Sequence, residues 1–158
     1  FRVLLERASA VVSQHAFHEL FYHINWHCQE DRALITPKIE IDLFDHMESF
    51  CRKYPGAFFF GAGGTKTHVH MAVQLEPKIA PAEFIGKIKG YCSFELNKKH
   101  GKSTMKWQRG YGIVTFAKAN LKAIQKYVDK QKEHYKTGSV RDLLEKFYDD
   151  PDEEKYYG

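Results

Sequence analysis

Apolar and polar positions alternate along several short segments of the chain and recur every three or four positions along others. Alternation is typical of a half-buried strand, and the longer period is typical of an amphipathic helix. The pattern predicts, in chain order, a strand at about 16–28, a helix at 38–53, strands at 57–61 and 67–75, a helix at 81–97, a strand at 110–116 and a helix at 119–135. The first six elements follow the order of a ferredoxin-like α+β domain. We therefore expect an antiparallel sheet with two helices on one face, followed by an extra C-terminal helix.

Glycine and proline support these boundaries. The run Gly61-Ala62-Gly63-Gly64 is predicted to be the tight connection that joins the second and third strands as a hairpin. Pro37 and Pro81 stand at plausible helix starts, where a missing N–H costs nothing.

The length of 158 residues suits one compact domain. We expect an N-terminal extension at 1–14, the main domain at 15–136, and a short helix at 140–147 within an acidic C-terminal segment at 137–158. No apolar run approaches the roughly 20 residues of a membrane span. The three widely spaced cysteines exclude a Cys-x-x-Cys metal site and indicate reduced thiols in a cytoplasm.

Charge is distributed unevenly along the chain. Between residues 87 and 109, basic residues outnumber acidic ones and aromatic residues are interleaved with them. Phosphates attract lysines and unpaired bases stack on aromatic rings, so this segment suits a polyanionic partner, although a solvated surface would read similarly. The candidate nucleic-acid contacts are Lys87, Lys98, Lys99, Lys102 and Arg109, joined by Lys130 from the last helix.

His68 and His70 are the first candidates for chemistry. They stand two positions apart in a predicted strand, so their side chains point to the same face, while Val69 points to the other. Two neutral imidazoles presented in this way can share one divalent metal ion. The alternative is a pair of half-exposed histidines on an amphipathic strand. The sequence does not say whether the pair faces the two packing helices or the open side of the sheet.

The last helix carries a second group of candidates. Tyr127 and Gln131 are four residues apart and so share one face, with His134 close to the same face. A tyrosine nucleophile with an oxygen ligand one turn away suits chemistry on a phosphodiester. The alternative is a surface helix whose tyrosine covers the edge of the core.

Together, the histidine pair and the helix containing Tyr-Val-Asp-Lys-Gln-Lys-Glu-His resemble the single-tyrosine HUH transposases, in which U denotes a hydrophobic residue. Further motifs occur in the same order as in that family, namely Phe21-Tyr22-His23-Ile24-Asn25-Trp26, Leu34-Ile35-Thr36-Pro37 and Trp107-Gln108-Arg109-Gly110-Tyr111-Gly112. Thr67 stands where such proteins commonly have Asp or Asn.

The resemblance implies a bacterial enzyme, cytoplasmic and associated with the nucleoid, that cleaves and rejoins single-stranded DNA at insertion-sequence ends and recognises DNA hairpins. Tyr127 would form a 5′-phosphotyrosine, while His68, His70 and Gln131 would hold one Mg²⁺ or Mn²⁺ that polarises the scissile phosphate. It also implies a homodimer in which each site combines the histidines of one chain with Tyr127 of the other.

Other classes fit less well. Histidine-triad nucleotide hydrolases need a further histidine where this chain has Ala72, and zinc-finger spacing is absent. A phosphate-binding Gly-x-x-x-x-Gly-Lys-Ser/Thr loop is also absent. Two alternatives stay open, namely a domesticated HUH nuclease and a non-catalytic ferredoxin-like protein that binds single-stranded nucleic acid.

Overall fold

The computed structural model describes residues 16–138 and 141–147. These residues form four strands and five α-helices in chain order: β1 Phe21–His27, α1 Pro37–Lys53, β2 Ala57–Gly64, β3 His68–Leu75, α2 Pro81–His100, β4 Gly112–Phe116, α3 Leu121–Asp129, α4 Gln131–Thr137 and α5 Asp142–Glu145. Both long helices begin at the predicted prolines, and Thr36 Oγ1 accepts the amide hydrogen of Ile39 at the start of α1.

The strands form one sheet in the order β2-β3-β1-β4, and every neighbouring pair is antiparallel. This is the ferredoxin-like arrangement, so the predicted α+β fold is confirmed. One face of the sheet packs on α1 and α2 through apolar side chains such as Trp26, Val69 and Met71. The other face carries α3, whose apolar residues pack on Phe21, Phe60 and Ala72.

The alternation of β3 therefore answers the question that the sequence left open. Val69 and Met71 face the core beneath α1 and α2. His68 and His70 point to the opposite side, where α3 lies. Both imidazoles are almost fully buried although they lie outside the main core.

The glycine run is not the connection that the sequence suggested. Gly61 to Gly64 belong to β2, and the chain turns between Gly64 and His68. A Cβ atom at Gly63 would lie 1.8 Å from the carbonyl oxygen of Val128 in α3. The missing side chain thus allows the helix backbone to lie directly on the strand.

The predicted last helix is also divided. A 3₁₀ turn at Lys118–Asn120 leads into α3, and the backbone leaves helical geometry at Lys130 before α4 begins. Among the described residues, no helix is long and apolar enough to cross a membrane. Cys28, Cys51 and Cys92 are buried free thiols.

Candidate active site

His68 and His70 lie side by side, with 5.1 Å between their ring centroids. The Nδ1 atom of each ring is engaged by a neighbour. His70 Nδ1 is 2.9 Å from Nε2 of His23. His68 Nδ1 is 3.0 Å from the hydroxyl oxygens of both Thr65 and Thr67. Such partners fix the orientation of a ligating imidazole, and here they direct both Nε2 atoms toward the same neighbouring carboxylate.

Burial keeps the imidazoles of His68 and His23 neutral. It lowers the pKa of His68 to about 3, with a further contribution from His70, and lowers the pKa of His23 to about 3. A neutral imidazole is the form that binds metal ions. His27 stacks on His68, at 4.6 Å between centroids, and Phe147 covers the other side of His27 at 3.8 Å.

Glu145 is the carboxylate that both histidines face. Its Oε2 atom is 3.3 Å from His70 Nε2 and 3.7 Å from His68 Nε2. The ligand atoms of the three residues lie within 4.8 Å of one another. Two imidazole nitrogens and a carboxylate oxygen converging on one point are a donor set that fits a divalent cation.

Sequence reasoning missed Glu145, because the short helix predicted at 140–147 carries no motif that links it to the histidines. The structure holds this segment on the sheet. Asn25 Nδ2 donates to the carbonyl oxygens of Leu144 and Lys146, at 2.8 and 3.1 Å. A Cβ atom at Gly112 would lie 1.8 Å from the Lys146 oxygen, so only a glycine in β4 permits this approach.

Tyr127 lies on α3 above the histidine pair. Its side chain is 2% exposed, and its ring centroid is 6.2 Å from that of His70. The phenol donates to Glu145 Oε1 at 2.5 Å and accepts from the backbone N–H of Arg141 at 2.9 Å. Burial, aided by Glu145, raises the pKa of Tyr127 to about 12. The phenol is therefore fully protonated at neutral pH.

The position of α3 follows from its sequence and from β2. Leu121, Ile124 and Val128 form its buried stripe. Gln125 Nε2 donates to the carbonyl oxygen of Phe60 at 2.8 Å, which ties the helix to β2. Because Gly63 pairs with His70 across the sheet, the close approach of α3 at Gly63 sets Tyr127 beside that histidine.

Gln131 follows Tyr127 by four residues and begins α4, beyond the break at Lys130. Its side chain is 1% exposed, and Nε2 donates to the Tyr127 carbonyl oxygen at 3.1 Å. Its Oε1 atom is buried without a hydrogen-bond partner among the described residues. A buried amide oxygen without a hydrogen-bond partner is suited to bind a metal ion or to accept a hydrogen bond. His134 stacks on the Tyr127 ring, with 4.4 Å between centroids.

Five of the six predicted nucleic-acid contacts lie apart from this cluster, on α2 or just after it, on the far face of the sheet. Lys130 directly precedes Gln131 and so lies on the histidine side. Lys87 is paired with Glu83, Lys99 with Asp42, and Lys130 with Glu133. Lys98, Lys102 and Arg109 are exposed. The site residues proposed from the sequence thus form two groups, one on each side of the sheet.

A ferredoxin-like sheet with a buried histidine pair beneath a helix-borne tyrosine defines the class of single-tyrosine transposases. A family model described as "Transposase IS200 like" matches residues 16–131. The chain belongs to this IS200-like transposase family, and the resemblance found in the sequence is confirmed.

Two curated relatives agree with this membership. They are the transposases for insertion sequence element IS200 of Salmonella typhimurium strain LT2 and of Salmonella typhi. Each is 35% identical over 77 residues, which is 45% of this chain and 50% of the relative. The match therefore spans about half the length of these proteins.

Two solved structures share the fold. One is a protein of Deinococcus radiodurans R1 assigned as a transposase, with a TM-score of 0.61 and 16% identity, covering 76% of this chain and 96% of that one. The other is a REP-associated tyrosine transposase bound to a REP hairpin, with a TM-score of 0.55 and 13% identity, covering 82% of this chain and 76% of that one.

Proposed function

We propose that this protein is a metal-dependent transposase that cleaves and rejoins single-stranded DNA at the ends of an insertion sequence, through a 5′-phosphotyrosine on Tyr127. The observation that carries the proposal is the meeting of Tyr127 with His68, His70 and Glu145 in one buried cluster. Membership of the IS200-like transposase family supplies the kind of reaction.

In this proposal His68 and His70 would hold one Mg²⁺ or Mn²⁺, and Glu145 and Gln131 would supply oxygen ligands. The bound ion would act as a Lewis acid on the scissile phosphate. His23, Thr65 and Thr67 keep the two imidazoles oriented and supply no ligand atom themselves.

Tyr127 attacks phosphorus as the bond from phosphorus to the 3′-oxygen breaks, and this oxygen takes a proton from water and leaves as a free 3′-OH. The phenol must lose its proton as the bond forms, because burial holds its pKa at about 12. Glu145 Oε1 already accepts a hydrogen bond from this phenol and is placed to receive the proton. Since the phosphotyrosine bond conserves the energy of the phosphodiester, rejoining needs no nucleotide cofactor.

The DNA partner in this proposal is single-stranded DNA with hairpin ends, bound through the basic residues of α2 and the segment that follows it. The hairpin-bound relative supports this choice by fold alone. Lys98, Lys102 and Arg109 would contact phosphates from there. Lys87 and Lys99, with Lys130 after α3, would exchange their acidic neighbours for phosphates.

A homodimer suits excision, since two DNA ends must be held together. The expectation that Tyr127 completes the site of a second chain differs from the described structure, which seats Tyr127 on its own histidines. The Gly63–Val128 approach and the Gln125–Phe60 hydrogen bond fasten α3 to its own sheet. We therefore propose that the nucleophile acts within its own chain.

The test is to incubate the protein with labelled single-stranded DNA that carries the element's ends, in the presence of Mn²⁺ or Mg²⁺. A protein–DNA adduct that resists denaturant is expected from the wild type and from the control variants Tyr111→Phe and Tyr135→Phe. Tyr127→Phe should form none while still binding the hairpin. A protein that binds DNA but never forms the adduct would be the non-catalytic alternative.

A further inference from the structure

A groove of about 760 Å³ runs between α2 and residues 103–111. It lies on the face of the sheet opposite to His68 and His70, because α2 packs on that face. Nothing in the catalytic cluster lines it. The groove is therefore a separate feature that the chemistry at Tyr127 does not explain.

The walls of the groove are aromatic and cationic. Trp107 and Tyr111 are half-buried, so part of each ring stays open, and the exposed Lys106 and Arg109 stand beside them. Among the described residues that line the groove, none is acidic. Aromatic rings flanked by positive charges are the surface that unpaired bases and their phosphates occupy.

The floor of the groove is formed by Gly86 and Gly90, in the interior of α2. Glycine weakens a helix relative to alanine, so a glycine there usually has a packing reason. The part of the chain that the structure describes supplies no such reason, since a Cβ atom at either position would meet nothing within 4 Å. Because these two positions of α2 have no side chains, a flat ligand between the aromatic walls can approach the helix backbone.

The groove is also held rigidly. Lys89 is buried, and its ammonium group donates to the carbonyl oxygens of Gln108, Arg109 and Gly110, at 2.5, 3.1 and 3.0 Å. Trp107 Nε1 donates to the Lys89 carbonyl oxygen at 3.0 Å, which fixes the indole against α2. A groove built in advance loses little conformational entropy on binding.

The groove is connected to the catalytic cluster by contacts at the end of β1. The backbone N–H of Gln108 donates to the carbonyl oxygen of His27 at 2.9 Å, and Trp107 pairs with Cys28. His27 in turn stacks on His68. A DNA strand that left the groove at Gln108 would thus reach the histidine side by rounding one end of the sheet.

We propose that this groove binds an unpaired, single-stranded segment of the DNA that flanks the cleavage site. One base would stack against Trp107 and Tyr111 over the bare helix, and neighbouring phosphates would contact Lys106 and Arg109. The assignment rests on the proposed function and deepens it, because it gives the single-stranded flank its own site apart from the hairpin and the metal.

The test uses oligothymidylate of eight nucleotides, which carries no hairpin, and the intact protein. The chain has two tryptophans, and Trp26 is fully buried, so quenching of fluorescence reports on Trp107. Wild-type protein should be quenched on titration, and Trp107→Phe should lose the quenching. Filling the floor by Gly86→Leu with Gly90→Leu should weaken binding at least about tenfold, the order expected for losing a stacked base.

Gly86→Ala with Gly90→Ala is the graded comparison, since it adds only a Cβ atom at each position, and it should weaken binding by less than the leucine pair. Thermal melts followed by circular dichroism verify that all variants are folded. Equal affinity of the wild type and the leucine variant for oligothymidylate would overturn the assignment. So would an octaglutamate peptide that quenches Trp107 as strongly as the DNA.

The outcome is separable from that of the proposed function. Suppose that the wild type is quenched by oligothymidylate, that the leucine variant is not, and that the wild type forms no adduct with the element's ends. This result would support DNA binding in the groove and overturn the proposed transposase chemistry. An adduct that forms normally, in a protein whose oligothymidylate binding ignores the groove, would overturn the groove alone.

Discussion

Tyr127 and Glu145 share a hydrogen bond of 2.5 Å, from the phenol to Oε1 of the carboxylate. The other oxygen of the same carboxylate is 3.3 Å from His70 Nε2. One side chain thus connects the nucleophile with the histidine pair. Glu145 lies in the short helix α5, which no sequence pattern places near either of them.

Glu145→Gln should lower the pKa of Tyr127 below its present value of about 12. After burial, the hydrogen bond and charge of Glu145 raise that pKa, and the amide keeps the shape without the charge. Difference spectra at 295 nm, taken against the Tyr127→Phe variant of each protein, isolate this residue from the other tyrosines. Asp142→Asn removes a charge from the same helix and should leave the titration unchanged.

The same shift has a consequence for stability. Because the folded pKa of Tyr127 is raised above its value of about 10 in an unfolded chain, its contribution is complete below pH 10. It is lost as pH rises through about 12. In Glu145→Gln the loss should end at a lower pH, as measured by urea unfolding at a series of pH values. An unchanged profile would mean that burial alone sets the pKa.

Metal affinity should separate the ligands. His68→Ala and His70→Ala should each abolish Mn²⁺ binding measured by calorimetry, because few protein ligands hold the ion. Glu145→Ala should weaken it at least about tenfold, and Gln131→Ala less, since a neutral amide is the poorer ligand. His46→Asn on α1 is the control. If Glu145→Ala binds Mn²⁺ normally, the third protein ligand after His68 and His70 is Gln131 and not Glu145.

Gly63→Ala should displace α3. The added methyl group would meet the Val128 carbonyl at 1.8 Å, a backbone atom that cannot rotate away. We expect a loss of about 1–3 kcal/mol in the free energy of unfolding and a large loss of adduct formation. Gly86→Ala makes the same change in open space and should gain up to about 1 kcal/mol through helix propensity. Wild-type activity in Gly63→Ala would mean that α3 works in another position.

Mixing two inactive proteins should not restore activity. If Tyr127 serves its own histidines, a heterodimer of His68→Ala/His70→Ala protein with Tyr127→Phe protein still contains one intact nucleophile and one intact pair, but in different chains. Subunit exchange must be verified by tag pull-down. Adduct formation by the mixture would establish the shared site that the family resemblance implied.

DNA binding should weaken steeply with salt, because lysines replace counterions on the phosphates. Neutralising Lys98, Lys99 and Lys102 to Gln should reduce the slope of log affinity against log salt by about 2 for single strands. Lys38→Gln with Lys53→Gln on α1 serves as the control. If the salt dependence changes only when Lys122 and Lys126 of α3 are neutralised, the DNA binds on the histidine side of the sheet instead.

Much of this architecture could be predicted from local pattern. The alternation in β1 and β3 and the prolines before α1 and α2 are short-range signals, and they gave the ferredoxin-like order. The spacing of His68 and His70 also fixed their common face, whatever the fold around them.

The parts that could not be predicted depend on contacts between distant segments. Gly63 reads as a turn residue, and only the position of Val128 shows why a side chain is forbidden there. Glu145 belongs to no repeating pattern of apolar residues. Its approach to the histidines depends on contacts of its segment with Asn25 in β1 and Gly112 in β4. The helix breaks at Lys130 although no Gly or Pro, the usual signals of a helix end, lies there.

Lys89 has a consequence for how this chain tolerates insertions and deletions. One ammonium group holds three successive carbonyl oxygens, from Gln108 to Gly110, and the backbone N–H of Gln108 is bound to β1. Inserting or removing a residue there would break several of these bonds together. The turn at Gly101 to Thr104 is largely exposed, and the hydrogen bonds from Thr104 to the Gly101 carbonyl oxygen stay within the turn itself. The crossover from α2 to β4 therefore has a variable end near the helix and a fixed end near the strand, where related chains are expected to keep the same number of residues.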